Sequence, residues 1–258
     1  MFAKRFLVCA WIVASAVCCP VFGAAVAQPE PESFELTAED SVRVMAYWYA
    51  APRSEDAPVA LLLHNVGSSH FGWQPLLRPL SSAGLRVLSL DLRGHGRSKD
   101  LAPDVYQRMV RRERGPYLAM IHDVEAAIRW LTDEKDVPPE EIILVGGEYG
   151  STLAFQAMAR NPELGAAVAL SPSTKYFQAP LLTHAEKYGT RPLLLVLPKQ
   201  DLTQGSSKIA EMMRDNPMFE MKVYPRYDAQ GVNMLGLSWR VEEFIVRWLW
   251  ETFELGSS

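Results

Sequence analysis

No cysteine follows residue 19. All three thiols of the 258-residue chain, Cys9, Cys18 and Cys19, fall within its first 27 residues. If that stretch leaves as a leader, the remainder can form no disulfide, thiolate metal site or cysteine nucleophile. Histidine is scarce as well, with five in all and none after His184. The net charge is −4, or −6 without Lys4 and Arg5, so the chain lacks the basic excess that nucleic acid or an anionic membrane surface selects. It also has no internal repeat, no low-complexity tract and no insertion long enough for a separate lid.

What stands at the N-terminus is a basic start (Lys4, Arg5), an apolar stretch from Phe6 to Val17 and a small-residue ending, Ala25-Val26-Ala27. This is the layout of a secretory signal cleaved before Gln28. The apolar stretch is too short and poorly flanked to favour a lasting transmembrane helix. Residues 1–27 are therefore read as a signal peptide, 28–33 as a proline-bearing linker and 34–258 as one domain. The expected product is exported, periplasmic or secreted, with no membrane span after cleavage. An uncleaved leader that anchors the chain is the alternative. Neither Cys18 nor Cys19 follows a Leu-Ala-Gly type of approach for lipid attachment.

Past the linker, solid apolar runs alternate with helical periodicity. Val59–Leu63, Arg86–Leu92, Ile142–Val145, Ala166–Leu170, Leu193–Leu197 and Phe219–Tyr224 read as strands. Phe34–Tyr49 reads as one or two antiparallel edge strands. Helices are expected over Gly72–Ala83, along the face Leu118, Ile121, Val124, Ile128, Leu131, over Ser206–Arg214 and over Trp239–Phe253. Lys99–Pro116 reads as a basic loop, and Ser173–Gly189 as holding one short helix at most. The pattern predicts an α/β domain with a mostly parallel central sheet, helices on both faces and a cleft at the carboxyl edge of the strands.

Three motifs lie along that edge. Leu61-Leu-Leu-His-Asn-Val-Gly67 is a strand running into a loop. Leu88-Ser-Leu-Asp-Leu-Arg-Gly-His-Gly-Arg-Ser98 matches D-x-R-G-H-G-x-S. Gly146-Gly147-Glu148-Tyr149-Gly150 sits between a buried strand and a small-residue helix, in the frame G-x-S-x-G of a nucleophile elbow. Together they make the chain resemble the α/β-hydrolase family, in its esterase- and dienelactone-hydrolase-like form, over nearly all of residues 34–258. The resemblance implies an α/β-hydrolase fold without a large lid domain. It places the nucleophile at residue 148 and the orienting acid at Asp201, after the strand ending at Leu197. It places the histidine near residue 230, in Tyr224-Pro-Arg-Tyr-Asp-Ala-Gln-Gly231, and the oxyanion donors on the backbone of Tyr149 and of Asn65 or Val66.

Two of those positions hold the wrong group. Residue 148 is Glu and residue 230 is Gln, with one residue more than the usual spacing before it. A glutamate nucleophile would set its oxygens about 1.5 Å farther out than aspartate, and Gln230 accepts no proton at neutral pH. The expectation is an exported member that has lost hydrolase activity and binds a small molecule or protein in the old cleft, without cofactor or metal. The alternative is an active or rewired hydrolase of esters or alkyl substrates. For Glu148 two placements stand open: folded onto its own oxyanion donors as a built-in anion, or solvated and paired with Arg226 or Arg93.

Other candidates weigh less. Ser151 would need glycine at Tyr149 and Leu153 to be a nucleophile, and Ser171 reads as a turn residue before Pro172. His64 and His95 read as loop structure. His70, His122 and His184 show no ligand spacing, and Glu148, Asp201 and His64 are noted as a cluster to test for a divalent cation. Arg108–Arg114 reads as a solvated face, and Trp239, Trp248 and Trp250 as core and partial surface.

Overall fold

In the computed structural model the described residues are 30–255, apart from 52, 53, 55, 226 and 227. The signal peptide read at 1–27 and the first residues of the linker lie outside them. The linker's last two residues are already strand. β1, Glu32–Thr37, turns at Ser41 into β2, Arg43–Tyr49, and the two pair antiparallel from Glu32↔Trp48 to Thr37↔Arg43.

The rest of the chain alternates. β3 (Val59–Leu63) leads through α1 (Gln74–Ser82) to β4 (Arg86–Asp91). Next come α2 (Ser98–Leu101), α3 (Pro103–Val110), α4 (Arg114–Leu118) and the long α5 (Ile121–Glu134). β5 (Ile142–Gly147) feeds α6 (Tyr149–Arg160), and β6 (Ala166–Leu170) is followed by α7 (Leu181–Glu186). β7 (Leu193–Pro198), α8 (Ser206–Met212), β8 (Phe219–Tyr224) and α9 (Val241–Thr252) close the chain. No described helix is long and apolar enough to cross a membrane.

The eight strands run in the order β1-β2-β4-β3-β5-β6-β7-β8, parallel from β4 to β8. Because both faces are covered, β3 to β7 are buried along their whole length; β3, β5, β6 and β7 therefore read as apolar runs, while β4 buries Arg86, Ser89 and Asp91 among its apolar residues. Alternate residues feed two cores. Leu61, Leu63 and Leu144 join Val124 and Leu131 of α5 and Leu153 and Phe155 of α6. Ala60, Leu62, Ile143 and Val145 join Leu76 and Leu80 of α1 and Ile245 and Leu249 of α9. β3 connects outward to its neighbour β4 and β5 connects the other way to β6, so the loops after the adjacent strands β3 and β5 diverge and open a crevice between them. The α/β-hydrolase fold with no large lid is what the chain adopts.

One segment departs from expectation. Lys99–Pro116 is not loop but carries α3 and parts of α2 and α4, of which only Ser98, Met109 and Pro116 are buried. Three short helices with one or two anchors each leave no apolar period to read.

Candidate active site

The turn between β5 and α6 is a strained elbow. Glu148 sits at φ 48°, ψ −110°, where a side chain costs about 1–3 kcal/mol. Its N–H donates to the Leu170 carbonyl (2.8 Å), and its own carbonyl accepts from Ser151 N–H (3.0 Å). Ser151, fully buried, donates its hydroxyl toward the carbonyls of Gly146 (2.8 Å) and Leu170 (3.0 Å), so it serves the turn and not the chemistry. The flanking glycines are steric necessities. A Cβ on Gly150 would meet the Leu63 carbonyl, and one on Gly146 would meet the backbone of Gly150. The frame therefore lets α6 press against β3 and holds residue 148 up at the crevice.

Histidine shapes the opposite wall. His64 is buried; its Nε2 accepts from Leu92 N–H (3.1 Å), which leaves the proton on Nδ1 to donate to the Asn65 carbonyl (2.7 Å). Burial pushes its pKa down to about 3, with His95 adding to the effect. Both nitrogens are used, so His64 is neither base nor metal ligand, and the cluster with Glu148 and Asp201 is not available to a cation. Asn65 then reaches across the crevice. Its Oδ1 accepts from Val232 N–H (3.0 Å), and its Nδ2 donates to the Gln230 carbonyl (3.3 Å).

On the far side stands Asp201, 1% exposed. Gln230 donates its side-chain amide to Asp201 Oδ1, and Ser171 bonds the same carboxylate. Burial pushes the Asp201 carboxyl up, against those bonds and nearby Lys175. Glu148 likewise titrates above the ordinary carboxylate range. Burial raises it, the Tyr176 hydroxyl bonded to it lowers it, and Asp201 raises it further.

Among the described residues Glu148 lies neither folded onto its oxyanion donors nor paired with Arg93. Among the described residues no backbone N–H donates to its carboxylate, and Arg93 is held by Asp123 and Asp40; Arg226 lies outside the described residues. The partner is Tyr176, which the sequence reading passed over in a stretch without helical period. An aromatic lattice fixes that stretch: Phe177 stacks on Tyr117 at 3.8 Å and meets Tyr149 edge-on at 5.0 Å, while Tyr149 donates to the Tyr117 carbonyl (2.9 Å). Between this wall and the loop after β3 lies a groove of about 380 Å³, lined by Val66, Gly67, His95, Lys99, Tyr106 and Tyr117. A larger hollow of about 710 Å³, beside Trp48 and Arg86, opens at the other end of the strands.

The raised Glu148 carboxyl has a checkable consequence. A group whose pKa is higher folded than unfolded gives its full contribution at low pH, and loses it as pH rises through the folded value. Glu148→Gln removes that loss. Its thermal midpoint should equal or trail the wild type at pH 4 and exceed it at pH 7. A gap that stays constant with pH would remove the buried-carboxyl reading.

Comparison with known proteins agrees with this geometry. The family model for the alpha/beta hydrolase fold matches residues 58–209. A Bacillus subtilis (strain 168) AB hydrolase superfamily protein, YfhM, is 31% identical over 115 residues, 44% of this chain and 35% of that protein, so the match spans about a third of the relative's length. Pyrococcus furiosus esterase Pf2001 superposes with a TM-score of 0.65 at 19% identity, covering 86% of this chain and 93% of the esterase. A dienelactone hydrolase from Anabaena variabilis gives 0.64 at 17% identity, covering 88% and 98%. At those identities the structures establish shared fold.

Proposed function

The chain belongs to the alpha/beta hydrolase fold family, and from that premise we propose that it is an exported member which no longer transfers acyl groups and instead holds a small molecule or a protein segment in the crevice above the elbow. The observation that carries this reading is the Gln230 amide bonded to Asp201. An acid that orients a histidine in this fold accepts an N–H from it, and here an amide occupies that acceptor. The amide satisfies the carboxylate as a donor but has no lone pair basic enough to take a proton from a nucleophile. At the elbow, Glu148 offers a carboxylate whose burial favours the protonated, non-nucleophilic form. The leader pattern supports export, and the groove beside Val66 and Tyr117, the latter bonded to Tyr149 of the elbow, is a concave surface next to the site that supports the binding reading.

The rival is a rewired hydrolase in which Glu148 itself attacks. Short-chain p-nitrophenyl esters and a haloalkane panel separate the two. The wild type should match Asp201→Ala and Glu148→Ala within error at each substrate. Turnover that the wild type shows and either variant loses would overturn the binding reading.

A further inference from the structure

The sheet ends at β8, which pairs with β7 on one side and, among the described residues, with no strand on the other. Its outward face can be read residue by residue. The Met218 carbonyl accepts from Leu193 N–H, so even-numbered positions turn their main chain toward β7 and Phe219, Met221 and Val223 turn theirs outward. The Phe219 N–H is taken by the Asn216 carbonyl (3.2 Å), which leaves the Phe219 carbonyl and both groups of Met221 and Val223 pointing to the open edge.

The side chains on this edge carry a matched pair of charges. Glu220 and Lys222 share the face toward α9, where Lys222 Nζ lies 5.1 Å from the Phe244 ring. Neither has an ion-pair partner among the described residues. On the other face stand Phe219, Met221 and Val223, and Met218 and Met221 are 47% and 37% exposed.

We propose that β8 pairs antiparallel with β8 of a second copy of this chain, on a two-fold axis through Met221. In that register Met221 exchanges both hydrogen bonds with its own counterpart, and Phe219 faces Val223. Glu220 then lies opposite Lys222 of the partner subunit, twice over by symmetry. Both charge pairs fall at positions that make no ladder bond, where facing side chains come closest. A shift of one residue would set outward groups against inward ones. Centring on Val223 would put Lys222 opposite Tyr224. Centring on Phe219 would lose both bonds of the central pair, because Asn216 holds that N–H, and would set Met221 against Pro217, which has none to give; in the Met221 register only the Phe219 N–H goes unused, and its carbonyl still accepts from Val223. A lone edge lysine repels foreign strands; with glutamate two residues before it, the same edge accepts only its own copy in one register. Strand pairing of this length buries less than a standard interface, so the dimer should be weak and its population should depend on concentration.

Sedimentation velocity on the purified protein from about 1 to 100 µM tests this. The wild type should pass from monomer to dimer across that range. Lys222→Glu alone, and Glu220→Lys alone, replace two attractive pairs with two repulsive ones and should weaken the dimer about tenfold or more. Glu220→Lys combined with Lys222→Glu should restore it to within about threefold of wild type, and it also controls for folding of the single variants. Amide exchange at Met221 and Val223 should slow as the dimer fills. A protein that stays monomeric, a dimer indifferent to Lys222→Glu, or a double reversal that does not restore association would each overturn the proposal.

Discussion

Asp123→Ala should lower the unfolding free energy by about 3–5 kcal/mol, the cost of stripping one partner from a buried ion pair. For a domain of this size that moves the thermal midpoint down on the order of 10 °C. The reason lies in Arg93, which is 2% exposed. Its Nε donates to Asp123 Oδ1 (2.8 Å), its backbone N–H to Asp123 Oδ2 (2.8 Å), and its outer nitrogen to Asp40 (2.9 Å). Asp123 itself is fully buried, whereas the Asp40 side chain is 37% exposed. Without Asp123 the guanidinium keeps only the partner that water already screens. Glu125 provides the comparison on the same helix. It pairs with Arg160 at the surface (2.6 Å), and Glu125→Ala should cost less than about 1 kcal/mol. Chemical denaturation of both variants decides the matter. An Asp123→Ala cost no larger than that of Glu125→Ala would mean that Arg93 relocates or hydrates, and that the segment after β4 is far less rigid than its bonds imply.

The strands were legible because burial on both faces writes itself as an uninterrupted apolar run. The sequence marks Phe219–Tyr224 with the bounds the strand has, and β4 ends at Asp91, one residue short of the run to Leu92. The elbow was legible for a different reason: Gly146 and Gly150 sit where any Cβ would strike neighbouring backbone, so the glycines mark the turn whatever stands between them. Contacts made by residues far apart in the chain left no such mark. Tyr176 reaches Glu148 because Phe177 is clamped on Tyr117, some sixty residues earlier, and a tyrosine in an aperiodic stretch carries no hint of that. Asn65 was read for its backbone N–H, while its side chain bridges two loops that meet only once the sheet has formed. The helices of Lys99–Pro116 were missed on the same ground, since isolated anchors such as Met109 give no period.

Glu148→Ser combined with Gln230→His should raise ester hydrolysis at least about 100-fold above the wild type, with neither single change achieving it. Removing triad members costs about 10⁴–10⁶ in rate, and such groups act as a unit, so a lone serine or a lone histidine should recover almost nothing. The structure indicates why the pair could work. Gln230 already donates to Asp201, so an imidazole there can give its Nδ1–H to the same carboxylate and turn Nε2 toward the elbow. A serine at 148 inherits the φ 48° turn and needs no backbone change. It also removes the carboxyl that Tyr176 now holds, leaving room beside the Tyr149 N–H for a developing oxyanion. Two features set the ceiling below a natural esterase: the extra residue before position 230, and the Asn65 bond to the Gln230 carbonyl that fixes where the loop sits. Ester turnover and covalent labelling by a fluorophosphonate should appear together in the double variant and be absent from each single one. A folded double variant that neither turns over nor labels would place the loss in the backbone of the crevice, with the two substitutions a consequence of it.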